Sequence, residues 1–478
     1  MSSQIITLQI GQCGNQLGAQ FWNGLCQEHG IGENGFPLVE EIRGKDNKEV
    51  FFDQADNGRY IPRAVLIDLE PRVINTITRS GYGELYNDEN IFQSGNGGGA
   101  GNQWTQGYER GAHFGEDIMR IIQHEAEGAD NLEGFIVSHS VNGGTGSGLG
   151  SRVLEMLRDE FPKQVVQTYS VFPTSQNHDV VVGPYNTGLA LRRLIEFADN
   201  VVVVDNVALN RLASELSENV NLDHVNQMVS TILTATTAPI RFYGETYNRL
   251  DTQIAELGPF PQMHFVQPGS ELSMVLNDKL LGYTPFCLPF CRKKILKTSV
   301  QDTLSRLLKP SSMMVTAEPP KAAAVVNNHS MLAGLAILQG NLENIDIADV
   351  ILRMEQKQRF TYPTWSGLTL STTTCIASPY IKREFKVSGV LLANHTNIAN
   401  VFDGLHRQFR RFRSKKSYYQ QFADYADAEE ELDLCETSML DLRDLYNDAT
   451  RDDFLSRDTT DKENLKPEPS DDDEVGSC

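Results

Sequence analysis

Up to Asn206, short and nearly continuous apolar runs alternate with longer stretches whose apolar residues recur at helical spacing. The strand candidates are Ile5 to Ile10, Ala64 to Ile67, Phe135 to Ser138, Val165 to Val171 and Val201 to Val204. Strands alternating with helices predict a mostly parallel sheet with flanking helices. Each run empties into a polar or glycine-bearing segment read as a loop: Gly11 to Gln16, Asp68 to Pro71, Gly143 to Gly148, Phe172 to Thr174, and Asp205 with Asn206. Ligands of open α/β sheets bind outside the carboxyl ends of the strands, so these segments are expected to converge on one site.

From Val207 the texture changes. A long helix over Asp223 to Thr237, strands at Met313 to Thr316, Met331 to Leu338 and Leu368 to Ile376, and a helix over Ile347 to Gln358 predict a smaller mixed α/β unit. After Val387 to Ala393 the pattern is helical, over Asn397 to Arg413 and then Tyr418 to Ala449. In the latter, Leu432, Cys435, Met439, Leu442, Tyr446 and Ala449 form one apolar stripe, expected to pack on the body. From about Thr459 the chain is polar and acidic with Pro467 and Pro469, and disorder is expected. The division is 1–206, 207–386 with the long central helix, a C-terminal helical hairpin over 387–455, and an acidic tail over 456–478.

A length of 478 residues exceeds one compact core. The seven scattered cysteines, with no apolar run long enough to span a bilayer and no signal peptide before Ile5, predict a soluble protein of a reducing compartment. Cys287 and Cys291 lack a second ligand pair, which favours buried thiols over zinc. A net charge of −21 argues against nucleic-acid binding. Much of it is local: ten acids against four bases in Arg451 to Cys478, and ten acids against Arg443 in Asp424 to Asp448. Just upstream lies a basic group, Arg407, Arg410, Arg411, Arg413, Lys415 and Lys416, either a solvated face or a docking surface.

The segment Asn142-Gly143-Gly144-Thr145-Gly146-Ser147-Gly148 lies between a strand candidate and a helix candidate, Leu149 to Phe161. Its glycines let the main chain approach an anion, the next helix offers unpaired N–H groups, and Thr145 and Ser147 add hydroxyls. It is not a Walker loop, which would need a lysine within it. Nor is it a dinucleotide fingerprint, because the turn comes late in the chain instead of opening the first βαβ unit. A second cluster, Gly97 to Asn102, offers another anion-facing nest. Asp68 and Glu70 supply hard oxygen ligands suited to Mg²⁺ through waters. Asn206 and Asn226 carry amides able to read a purine edge, with Asn15 and Gln16 as helpers, and the set predicts a nucleoside triphosphate site.

Gly11-Gln-Cys-Gly-Asn-Gln16, Arg63 to Arg72, Gly98-Gly-Ala-Gly-Asn102, Gly143 to Gly148 and Pro184-Tyr-Asn186 together resemble the tubulin family, over about Ile5 to Leu455. Within it the chain resembles the gamma branch at Val50-Phe-Phe52, Tyr60-Ile-Pro62, Gln167 to Pro173, Ala208 to Arg211, Gly282 to Pro285 and Ala393 to Thr396. The resemblance implies GTP or GDP with Mg²⁺, guanine on Asn206 and Asn226, and phosphates on Asn142 to Gly148 and on Gly99, Ala100, Gly101 and Asn102. It places Gln12 and Cys13 beneath the nucleotide and adds Gln16, Ser140 and Asp179 as contacts. It further implies a cytoplasmic, cytoskeletal subunit at a microtubule-organizing centre or spindle pole, active in mitosis. There gamma-tubulin complex proteins and lateral self-association build a ring or spiral that templates alpha/beta tubulin dimers. No nucleic-acid or membrane partner is expected; the alternative reading is a self-polymerising tubulin or FtsZ-like GTPase.

Several positions depart from that pattern. Asn142 stands where alanine or glycine is usual, Gly183 where an acid or amide precedes Pro184, and Leu222 where an aromatic ring would stack on guanine. Gln267 to Leu280 reads as an insertion. The acid that activates water in a neighbouring subunit's site aligns with Thr252, so no catalytic residue is assigned and hydrolysis is expected to be weak or conditional. In the tail, Lys462-Glu463-Asn464 resembles a mitotic degradation signal and Ser470 a site for an acid-directed kinase.

Overall fold

The computed structural model describes residues 3–39, 46–95, 98–173, 180–216, 221–270, 299–316, 329–340, 342, 347–356, 361–366, 370–381, 387–423, 428–451 and 453–455. The strands are β1 (Gln4–Ile10), β2 (Phe52–Gln54), β3 (Tyr60–Pro62), β4 (Ala64–Asp68), β5 (Ile91–Gln93), β6 (Leu132–Ser140), β7 (Val165–Phe172), β8 (Asn200–Asp205), β9 (Phe265–Ser270), β10 (Met331–Gly340), β11 (Ser371–Cys375) and β12 (Val387–His395). Strands β2 and β3 form a separate hairpin; the other ten make one sheet in the order β11-β10-β12-β9-β8-β7-β6-β1-β4-β5. From β5 to β9 every pairing is parallel, and β12 runs antiparallel to both β9 and β10. The mostly parallel sheet with flanking helices read from the sequence is therefore present, and it continues without a break into the later strands. The β8–β9 joint is its narrowest, with only Val201 facing Phe265 and Val202 facing Val266.

The helices that matter for the site are α1 (Gly11–Glu28), α2 (Pro71–Thr78), α3 (Trp104–Glu127), α4 (Gly150–Glu160), α5 (Gly183–Phe197), α6 (Asn206–Leu216), α7 (Leu222–Arg241) and α8 (Leu250–Leu257). Two depart from the sequence reading. The segment Gly11 to Gln16 is not a loop: α1 starts directly at the end of β1, with Gly11 at φ +73°. A side chain at Gly14 would overlap the Ser138 carbonyl, at 2.1 Å, so the glycines that suggested a loop are where the helix presses on the sheet. Helix α3 has no counterpart in the sequence reading, because Gly107, Gly111 and Gly115 depress its helical signal. These glycines line the contact edge of α3: a Cβ on Gly107 would lie 2.2 Å from the Gly144 carbonyl, and one on Gly111 would lie 2.9 Å from Arg152 Cβ.

The later strands and helices follow the pattern with local changes. Met313 to Thr316 is not a regular strand, making one bridge from Met313 to Gly269. Gln267 to Ser270, read as the start of an insertion, pairs in register with Val390 to Ala393 inside the sheet. The rest of that proposed insertion lies outside the described residues, as do Cys287, Cys291, Lys462 to Asn464 and Ser470. The Tyr418 to Ala449 stretch forms helices at Gln420–Ala423 and Ala428–Asp448. The stripe from Leu432 to Ala449 is buried as expected, in the same core as Leu189, Phe402 and Phe409. Burying side chains of this size stabilises each by roughly 1.5–3 kcal/mol. Among the described residues no helix is long and apolar enough to cross a membrane, and no cluster of metal-ligating side chains stands out.

Candidate functional site

A cavity of about 450 Å³ opens at the carboxyl ends of the central strands. Its walls include Gln12, Cys13 and Gln16 from α1, Asp68, Glu70 and Arg72 after β4, and Ala100, Gly101 and Asn102 before α3. They continue through Ser140, Asn142, Gly143, Gly144, Thr145 and Gly146 after β6, Asn206 at the start of α6, and Leu222 and Asn226 on α7. Segments far apart in sequence thus meet on one edge of the sheet, as strand-end geometry demands. Gly99, Ser147 and Gly148 are not on this wall. Gly99 leaves room for Glu70, whose Oε1 would lie 2.1 Å from an added Cβ, and Gly148 sits 2.1 Å by the same measure from the Trp104 carbonyl. The Ser147 hydroxyl donates to the Gly143 carbonyl, which fixes the loop from within. Asp179 lies outside the described residues.

The phosphate-like end is tightly built. Thr145–Leu149 winds as a wide π-helical turn that runs straight into α4, directing backbone N–H groups toward the loop. Side chains are excluded on its far side: a Cβ at Gly144 would lie 2.7 Å from the Gln103 nitrogen, and one at Gly146 would lie 2.7 Å from the Ser140 carbonyl. Gly143 has nothing within 4 Å of that position.

Two buried residues that the sequence reading left without a role hold this end together. Asn186, fully buried, donates from Nδ2 to the carbonyls of Asn102 (2.8 Å) and Asn142 (2.9 Å) and accepts at Oδ1 from Trp104 N–H (2.9 Å). One amide thus ties α5 to both glycine loops. His139 Nδ1 lies 2.9 Å from the Gly146 carbonyl and Nε2 lies 2.8 Å from Ser170 Oγ. A carbonyl only accepts, so Nδ1 carries the proton and Nε2 accepts from the serine hydroxyl. Burial lowers the His139 pKa to about 4, which keeps the ring neutral. The signals were present, an asparagine after Pro184-Tyr185 and a histidine inside an apolar strand, but partners so distant in sequence are visible only in the fold.

Asp68 is the clearest candidate for holding a cation. One carboxylate oxygen accepts from Glu70 N–H at 3.2 Å; the other, Oδ2, is buried and has no hydrogen-bond partner. Burial raises the Asp68 pKa to about 6, with Glu70 adding repulsion. A group raised in the folded state is destabilising above its ordinary carboxylate pKa, so a divalent ion beside Asp68 would relieve a strain already present. Glu70 and Arg72 stand at the same mouth, and Arg72 is the cation the sequence reading did not name.

The other end is sparse. Asn206 and Asn226 line it, and among the described residues neither amide is engaged elsewhere. Leu222 is 74% exposed at the rim and offers an aliphatic edge instead of a ring. Asn15 is not a helper here: its Nδ2 donates to the carbonyls of Gly11 (2.9 Å) and Ile67 (3.0 Å), fastening α1 to β4. Burial pushes the Cys13 thiol up to about 11, so it is not a nucleophile at neutral pH.

A glycine-lined anion cradle, a buried carboxylate at its mouth and unengaged amides opposite define a nucleotide-binding α/β protein. The family model described as Tubulin/FtsZ family, GTPase domain, matches residues 4–214, and the Tubulin C-terminal domain matches residues 279–436. The chain belongs to the tubulin superfamily and is a tubulin-like GTP-binding protein.

Proposed function

We propose that this chain is a gamma-tubulin-type nucleating subunit, with GTP or GDP in the cavity between the Asn142 to Gly148 cradle and the amides of Asn206 and Asn226. Residues 1–206 form its nucleotide-binding part, 207–386 the intermediate part and 387–455 the outer helical part. Asp68 and Glu70 would hold Mg²⁺, which would supply charge neutralisation at the terminal phosphates. Gln12, Gln16 and Cys13 floor the site. Held in a ring or spiral by gamma-tubulin complex proteins at a microtubule-organizing centre, the nucleotide-bearing end templates alpha/beta tubulin dimers.

The observation that carries the nucleating reading, over self-polymerisation, lies on α8. Thr252 is exposed there, and its hydroxyl donates to the Arg249 carbonyl at 2.8 Å. The adjacent Asp251 carboxylate is held by Arg249 at 2.7 Å, so it is no free base either. This face brings no acid to a neighbour's nucleotide, and turnover by the protein alone is weak, depending on an acid from an incoming subunit.

The test is microtubule nucleation from alpha/beta dimers by this protein assembled with its complex proteins, wild type against Gly143→Arg. Gly143 is preferred because a side chain there enters open space, whereas one at Gly144 would strike the Ala100–Gln103 turn. Nucleation by wild type that falls at least tenfold in the variant, with the assembly intact, is expected. Filaments from the protein alone with brisk GTP turnover would overturn the reading in favour of a self-polymerising GTPase.

A further inference from the structure

Two of the departures noted in the sequence are one feature in space. A Cβ built on Gly183 would lie 2.1 Å from Asn142 Oδ1, so the Asn142 carboxamide occupies the volume that any side chain at 183 would enter. With Asn142 in this rotamer, no side chain fits at 183. The Asn142 backbone is fixed at both ends: its N–H donates to Ser140 Oγ at 3.3 Å and its carbonyl accepts from Asn186 at 2.9 Å. Asn142 lines the cavity, and its Oδ1 is buried with no hydrogen-bond partner, an arrangement that costs free energy unless something donates to it.

The strand order says which part of a ligand lies there. β7 stands between β6, which carries the phosphate cradle, and β8, which leads into Asn206. Asn142 leans from the cradle toward Gly183, on the segment that follows β7. In a nucleotide spanning from cradle to Asn206, the portion between phosphates and base is the sugar. We propose that Asn142 is the residue by which this chain recognises a sugar hydroxyl; this rests on the nucleotide occupancy proposed above. The carboxamide suits the task because it both accepts and donates, as a hydroxyl does, and an already fixed backbone limits the entropy lost on binding.

Full-length protein with Mg²⁺ is titrated with GTP, 2′-deoxy-GTP and 3′-deoxy-GTP. Wild type is expected to favour GTP over one deoxy analogue by about three- to tenfold, the range of a single hydrogen bond. Asn142→Ala, which adds no bulk, should lower GTP to the affinity of that analogue and leave the analogue unchanged. Gly183→Gln alone should weaken all three ligands, and the Asn142→Ala/Gly183→Gln pair should regain binding. Equal weakening of all three ligands by Asn142→Ala would make Asn142 packing only and overturn the inference, as would wild type that does not discriminate among them. Folded wild type that binds no guanine nucleotide would instead remove the proposed occupancy itself.

Discussion

The two ends of the cavity are built to different standards. At the cradle, glycines are wedged against the Ser140 carbonyl and the Gln103 nitrogen, the buried Asn186 makes three hydrogen bonds, and a neutral His139 pins the Gly146 carbonyl. At the opposite end, Asn206 and Asn226 have no supporting bonds among the described residues, and Leu222 is 74% exposed. The cradle is therefore preorganised, and binding there would cost little reordering; the opposite end would have to fix its side chains as a ligand arrives. With the proposed nucleotide in place, affinity is expected to rest on the phosphates, with discrimination among bases the weaker property.

Breaking the cradle gives the largest effect. Asn186→Ala removes the three hydrogen bonds of a fully buried amide, to Trp104 N–H and to the carbonyls of Asn102 and Asn142, which should cost on the order of 3 kcal/mol of stability in denaturant unfolding. Loss under about 1 kcal/mol would mean that the loops hold themselves.

Next is the pH response of the cradle. His139 is neutral in the folded state down to about pH 4, whereas the unfolded chain takes up a proton near its ordinary value of 6.5. Stability from this group is thus complete above 6.5 and is lost as pH falls toward 4, by up to about 3 kcal/mol. His139→Gln keeps a donor for Gly146 and should flatten the stability profile in that window; an unchanged slope would assign it to other buried histidines.

The smallest expected effect sharpens the sparse end. Leu222→Tyr places a ring at the rim and should tighten guanine nucleotide binding by about 1 kcal/mol, near fivefold, without altering the melting temperature of the free protein. No gain would show that the base does not reach α7.

Apolar periodicity made the sheet legible, because buried parallel strands such as Val201 to Val204 have no other reading. Glycine obscured the helices: in α1 and α3 it serves close packing, yet alone it reads as a breaker. Pro268 and Gly269 hid β9 in the same way, although that strand pairs with Val390 to Ala393. Within the site, residues that line the cavity were readable from their chemistry, as with Asp68, Asn206 and Asn226. Residues that face other residues were not. Asn186 and the match of Asn142 to Gly183 depend on contacts across 84 and 41 positions of chain, here 186 against 102 and 183 against 142, which no local pattern encodes.

The narrow joint between β8 and β9 gives the sheet a mechanical character. Two paired positions link the strands there, against seven between β6 and β7, and resistance to bending follows the number of rungs. Beyond those two positions the Met313 to Thr316 segment completes the seam: the Met314 carbonyl accepts from Asp205 N–H at 3.0 Å, its N–H donates to the Pro268 carbonyl at 2.9 Å, and the Asp205 carboxylate accepts from Thr316 N–H. The neighbouring residue is Asn206, so the segment that closes this seam also anchors the start of α6.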